Sequence, residues 1–419
     1  MKIKFLFLIV LAFALILCSC DEPEGVENNN KKYETVNLNV YNWGEYISDE
    51  YDEECGLIDV NAEFEKYFNE NLADKYGFYV KVNYSTYATN EDMYAKLSNS
   101  AVAYDIVIPS DYMIQKMIDN NMLLSLDYSL LTNYSNISNE FKGLAYDPEN
   151  KYSVPYTYGM VGIIYNSEFV KEEDIEDESW NLLWNKKYSG KILQFNNPRD
   201  AFATAMFKSG IDINSSNPSD WNAALELLKD QKPILQGYVN DEIFNKMKSA
   251  SAYIAPYFAG DFLTMAADNN DLRFYYPSEG TNYFVDAMCV PTTAKYPEIA
   301  MEYINFMLTE EPAVANAAYI GYASPNKLVR YNEDYRSQMD EYHEDWEDIL
   351  YERNPGNEVG GANENYDFDP IYKSFSPEIQ EYANSLWESL KTENSTELWV
   401  HILSGVIVVG VVGLAVYTI

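Results

Sequence analysis

The chain is predicted to be an α/β protein with a ligand-binding face, and three observations carry that expectation. Strand-like alternation and helix-like spacing succeed one another between residues 36 and 112, in the order strand, helix, strand, helix, strand. Each of these strands runs into residues with hydrogen-bonding or aromatic side chains, and open α/β sheets bind ligands at the carboxyl ends of their strands. The third observation is the hexapeptide Tyr41-Asn42-Trp43-Gly44-Glu45-Tyr46, one carboxylate among three aromatics. Gly44 lets the chain turn sharply there. Glu45 between ring faces suits an organic cation, by charge pairing and cation–π attraction. Taken alone, the hexapeptide fits a strand end with a solvated Glu equally well.

The elements follow in order. Val36, Leu38 and Val40 alternate with Asn37 and Asn39 as a half-buried strand does. Phe64, Tyr67, Phe68 and Leu72 lie near helical spacing in Val60 to Tyr76, and Gly77 is a natural stop. Tyr79 to Tyr84 alternates again. Thr89 or Asn90 then caps a helix that turns Met93, Tyr94 and Leu97 inward. Tyr104 to Tyr112 reads as a buried strand broken by Pro109. Tyr152 to Tyr165, with breakers Pro155 and Gly159, reads as the crossing into a second domain. Trp180 to Lys187 reads as a docking helix or, preferably, as ordinary core aromatics. Ile192 to Phe195 is a strand that turns through Asn196-Asn197-Pro198-Arg199-Asp200 into a helix over Ala201 to Lys208. Asp200 near a helix start gains from the dipole, which is a purely structural reading of it. Tyr257-Phe258-Ala259-Gly260-Asp261 is another strand-to-helix turn. Asp286 stands alone in the apolar run Tyr283 to Pro291, where an acid is costly unless a cation or several donors pair it. Glu298 to Leu308 is amphipathic, and Ile379 to Lys391 reads as a closing helix. Pro355 to Asn365, with Asp367 and Asp369, lacks the ordered spacing of a calcium loop and reads as a flexible surface insertion.

Both ends look membrane-directed. Lys2 and Lys4, the apolar run Phe5 to Leu17 and then Leu17-Cys18-Ser19-Cys20 form a lipoprotein signal, with lipid expected on Cys20. Residues 21–35 read as a tether. Leu398 to Ile419 is uncharged and would span ~33 Å as a helix, close to the ~30 Å hydrocarbon core, so it reads as transmembrane. The mature protein is expected outside the cytoplasm. Cys55 and Cys289 remain, with a disulfide between them left open.

Composition narrows the function. Of 419 residues, 66 are acidic and 29 basic, and the net charge of −37 argues against a nucleic-acid partner. No nucleophile elbow, phosphate loop or dinucleotide fingerprint is present, and the two histidines are His343 and His401. Binding, with no enzyme activity, cofactor or metal, is the leading class. Its alternatives are a sugar or amino-acid binder, or a membrane-anchored sensor or adhesin.

The order of motifs resembles the spermidine/putrescine-binding proteins of bacterial ABC importers. The matching runs include Tyr41 to Tyr46, Ser85 to Leu97, Tyr104 to Tyr112, Leu131 to Asn136, Tyr152 to Tyr156, Pro198-Arg199-Asp200, Asp286 and Tyr319 to Asn326. The resemblance implies a type II periplasmic binding-protein fold, two lobes closing like a Venus flytrap about crossing strands. Its lobes would be 36–150 with 284–325, and 151–283 with 326–392. It implies polyamine as ligand and ABC permease subunits as partners. By resemblance Glu45, Asp200 and Asp286 pair ammonium groups, Trp43, Tyr257 and Phe284 form walls, and Tyr46, Ser110, Tyr112 and Tyr322 add polar or stacking contacts. Phe284 replaces a tryptophan usual in the family, and Asn197 stands where an aspartate is common. One negative charge is therefore missing, which leaves the choice between diamine and triamine open.

Overall fold

The computed structural model describes residues 32–51, 57–99, 102–352 and 370–392. Nine strands fall in this part of the chain: β1 (Thr35–Trp43), β2 (Tyr79–Tyr87), β3 (Ile106–Val107), β4 (Ser153–Asn166), β5 (Ile192–Phe195), β6 (Leu235–Val239), β7 (Ile254–Phe258), β8 (Leu272–Tyr275) and β9 (Tyr283–Cys289). Their order is β2-β1-β3-β9-β4-β7-β5-β6, with β8 also on β4. The sheet is mixed. β2, β1 and β3 are parallel, as are β6, β5 and β7, while β9 and β4 run against their neighbours.

β4 joins the two halves. Ser153 to Met160 pair with β9, and Val161 to Tyr165 pair with β7. Thirteen of its fourteen residues are buried, as a strand covered on both faces requires. The partners change between Met160 and Val161, and a register shift between Pro155 and Thr157 precedes the change. The result is a two-lobed α/β fold with β4 shared between the halves of one mixed sheet.

Local chemistry accounts for the helix ends near the lobe interface. Thr89 Oγ1 accepts from Asp92 N at 3.1 Å and starts the helix Asn90–Asn99. Asn197 caps the helix Pro198–Lys208, with Pro198 in its first turn. The helix Glu310–Ile320 ends at Gly321, whose φ of 72° is left-handed.

Several expectations are refined. The helix over Val60 to Tyr76 is two, Val60–Asn71 and Ala73–Tyr76, broken at Leu72. The strand over Tyr104 to Tyr112 shrinks to Ile106–Val107 before Pro109, and Ser110 then caps the helix Asp111–Asp119. Trp180 to Lys187 is no docking helix. It forms two short 3-10 turns, and buried Trp180 donates from Nε1 to the Gly280 carbonyl at 2.8 Å. Residues 330–352 pack into the body through Tyr335, Trp346 and Tyr351. The closing helix is present over residues 377–392.

The lipoprotein signal with Cys20, the run Pro355 to Asn365, and Leu398 to Ile419 lie outside the described residues. Among the described residues no helix is long and apolar enough to cross a membrane. Cys289 is buried in β9, and Cys55 also falls outside the described part.

Candidate ligand-binding cleft

The end of β1 is fixed by its own side chains. Asn42 Oδ1 accepts from Trp43 N at 2.9 Å, and its Nδ2 donates to the Tyr46 carbonyl at 3.2 Å, which folds the hexapeptide back on itself. The left-handed residue in this turn is Glu45, with φ of 49°, and not Gly44. Gly44 instead leaves space at this point. A Cβ there would lie 3.0 Å from Asp241 Oδ2, across the gap between the lobes.

β9 carries Asp286 into the middle of the molecule. Its side chain is buried, and Oδ2 accepts from Tyr46 Oη at 2.7 Å. Tyr46 Oη also lies in a short contact with Thr157 Oγ1 on β4. Asp286 Oδ1 has no partner among the described residues. Burial raises its pKa to about 6, and the nearby Ser110 together with the bond from Tyr46 holds it from going higher. The Asn90 amide donates to Ser110 Oγ and Tyr112 Oη, both at 3.1 Å, and Tyr112 Oη reaches Glu91 Oε1 at 3.1 Å.

The opposite wall comes from the second lobe. Asp200 Oδ2 accepts from Asn197 Nδ2 at 2.8 Å, and Asp200 Oδ1 accepts from Tyr372 Oη at 2.9 Å. Burial raises the Asp200 pKa. Asn197 Oδ1 accepts from Asp200 N at 2.8 Å, so both ends of its amide engage Asp200. Asp261, in the first turn of the helix Ala259–Asp268, accepts from Tyr322 Oη at 2.9 Å. Burial pushes its pKa up to about 8, with Asp241 and Glu45 adding to the rise. Gly260 lets Tyr322 approach, since a Cβ there would stand 2.2 Å from that ring. Phe195 stacks on Tyr257 at 5.5 Å, and Phe258 meets Phe284 edge-on at 5.3 Å.

Most of these groups line one cleft of about 1030 Å³, open mouth included. Trp43, Glu45, Tyr46, Ser110, Tyr112, Asn197, Asp200, Tyr257, Phe284, Asp286 and Tyr322, the eleven residues singled out from the sequence, all line it. Sequence reasoning missed Glu91, Asp241, Asp261, Arg199, Phe258 and Tyr372. Asp261 and Phe258 stood in a strand-to-helix turn already noticed, and the cue was a carboxylate just inside a helix start. Tyr372 gave no local cue. Six carboxylates and a single Lys or Arg side chain line the cleft, which therefore favours cations with apolar stems.

Residues 62–347 match the family described as bacterial extracellular solute-binding protein. The chain belongs to that family. This solute-binding protein is 33% identical over 294 residues to the spermidine/putrescine-binding periplasmic protein of Salmonella typhimurium, covering 70% of this chain and 78% of the relative. It is 32% identical over 305 residues to the Escherichia coli K12 protein of the same description, covering 73% and 80%. The solved structure of a spermidine/putrescine ABC transporter substrate-binding protein from Streptococcus pneumoniae is similar at a TM-score of 0.60 and 30% identity, covering 85% of this chain and 98% of that one. Members of this solute-binding family serve transport, and this one is not an enzyme.

Proposed function

We propose that this protein captures polyamines, spermidine or putrescine or both, outside the cytoplasm and delivers them to an ABC permease. The observation that carries the reading is Asp286: a buried carboxylate with one oxygen unpartnered among the described residues, inside an aromatic-walled cleft lined by five further acids. An ammonium group supplies the missing donor, and the rings cover the methylene stem. The descriptions of the relatives support the same ligand class.

In this reading Glu45, Asp200 and Asp286 pair ammonium groups, with Asp261, Asp241 and Glu91 as further acceptors. Trp43, Tyr257, Phe258 and Phe284 form the walls. Asn197 positions Asp200 and leaves ligand charge to its neighbours. With lobes of 36–150 with 284–325 and 151–283 with 326–392, closure would occur about β4 and β9, because the carboxylates come from both sides. Calorimetric titration of residues 33–392 with spermidine, putrescine, sugars and amino acids tests the ligand class, and small-angle scattering of the same samples tests closure. Polyamine binding with a more compact shape is expected. Preference for an uncharged solute ends the ligand assignment, and an unchanged scattering curve at saturation ends the hinge.

Anchoring is the second part of the proposal: lipid on Cys20 and a membrane helix over Leu398 to Ile419. Cys20→Ser is expected to block lipidation while the protein stays in the membrane fraction. Removing the tail as well is expected to release it to the medium. Release by Cys20→Ser alone means the tail does not span.

A further inference from the structure

The cleft contains a cation of the protein's own. Arg199 is 8% exposed, and its guanidinium lies over three rings: Tyr112 at 4.1 Å, Tyr372 at 4.4 Å and Phe375 at 4.0 Å. Its Nη2 donates to the Lys373 carbonyl, while Nε and Nη1 have no hydrogen-bond partner among the described residues. A guanidinium this buried is costly unless something compensates it, and stacked π faces together with nearby carboxylates are what surround this one.

The arrangement links the two lobes. Arg199 belongs to the helix Pro198–Lys208 and Tyr112 to the helix Asp111–Asp119. Tyr372 and Phe375 come from a strap that also reaches both sides. The Asn214 amide grips its Ile371 carbonyl and Lys373 N–H, each at 2.8 Å, and Ser374 N donates to Gln115 Oε1 at 3.0 Å. The two phenols stacked on Arg199 point their hydroxyls at Glu91 and Asp200. The rings stacked on Arg199 are thus the ones that hydrogen-bond these two carboxylates, and Asp200 accepts from Asn197 as well.

We propose that Arg199 is a positioning residue for ligand capture: it holds Tyr112 and Tyr372 around Glu91 and Asp200 and lends those acids a positive field without occupying them. The inference rests on the polyamine reading of the cleft. The titratable groups that feel the Arg199 charge are Asp200 on its own helix, Glu91 on the helix Asn90–Asn99, Asp111 and Tyr112 on the helix Asp111–Asp119, and Tyr372 on the strap, where the Lys373 carbonyl also accepts from Arg199. Burial raises the pKa of Glu91 and of Asp200, and the Arg199 charge lowers both, so it favours the ionised forms that hold an ammonium.

Two opposite effects make the test sharp. A resident cation repels a cationic ligand, so charge alone predicts that Arg199→Met tightens binding. Positioning predicts that the same change weakens it. Titrating the full chain in detergent with spermidine and with putrescine, from pH 5.5 to 8.5, separates them. Arg199→Met is expected to lose tenfold or more in affinity, with the acid-side midpoint of binding moved to higher pH. Arg199→Lys keeps the charge without the flat face, and it is expected to keep the wild-type midpoint at reduced affinity. Arg199→Met binding as tightly as wild type, or more tightly, overturns the proposal. So does equal loss in both variants with an unmoved pH profile, which is the signature of a purely structural residue. If wild type binds neither polyamine, the functional reading fails first.

Discussion

Asp286→Asn is expected to weaken polyamine binding by roughly thirtyfold or more. Removing one partner of a desolvated charge pair costs about 2–5 kcal/mol, and the lower figure corresponds to that factor. The substitution keeps the shape and an oxygen to accept from Tyr46 Oη, so the loss isolates the charge. Stability supplies the control. Burial raises Asp286 to about 6, so at neutral pH the empty cleft carries the cost of a desolvated carboxylate, which the amide does not. The unliganded variant should therefore melt no lower than wild type. A variant that binds spermidine and putrescine as wild type does would remove Asp286 from the ammonium site.

The second large effect is on pH. Asp261 at about 8 is mostly protonated in the empty cleft at pH 7 and must ionise to pair an ammonium. Affinity should therefore fall about tenfold per pH unit below 8, or about a hundredfold by pH 6, where Asp286 begins to add a second proton. Proton release on binding, read by calorimetry in buffers of different ionisation enthalpy, should approach one per ligand near pH 7. The stability of the empty protein runs the other way. Between the ordinary aspartate value near 4 and the folded value near 8, the folded state binds more protons than the unfolded chain. That contribution is complete at low pH and is lost as pH rises through about 8, whereas saturating ligand stabilises most at the alkaline end. An affinity independent of pH between 6 and 8 would mean that Asp261 faces no ammonium.

The sequence by itself determined the elements, and its resemblance to a known family named much of the cleft's membership. Alternation in β1 and β2, a helix between them and an acid alone in an apolar strand are local patterns, because side-chain direction follows from backbone period. The eleven residues that line one cleft were named through the family resemblance and not through these patterns. Tertiary structure decided what those residues do to one another. Gly44 was expected to turn the chain, but the left-handed residue is Glu45, and Gly44 makes room for Asp241, which lies 197 positions further on. Asn197 looked like a missing ligand charge and is tied at both ends to Asp200. Tyr372 reaches Asp200 from 172 residues away, on a strap that no local period marks. β4 changes partners in mid-strand, and a run buried at all but one position carries no periodicity to say where. Sequence period reports which way a side chain points from its own backbone. Partners across the cleft are set by tertiary packing, and the burial that raises Asp261 and Asp286 exists only in the folded protein.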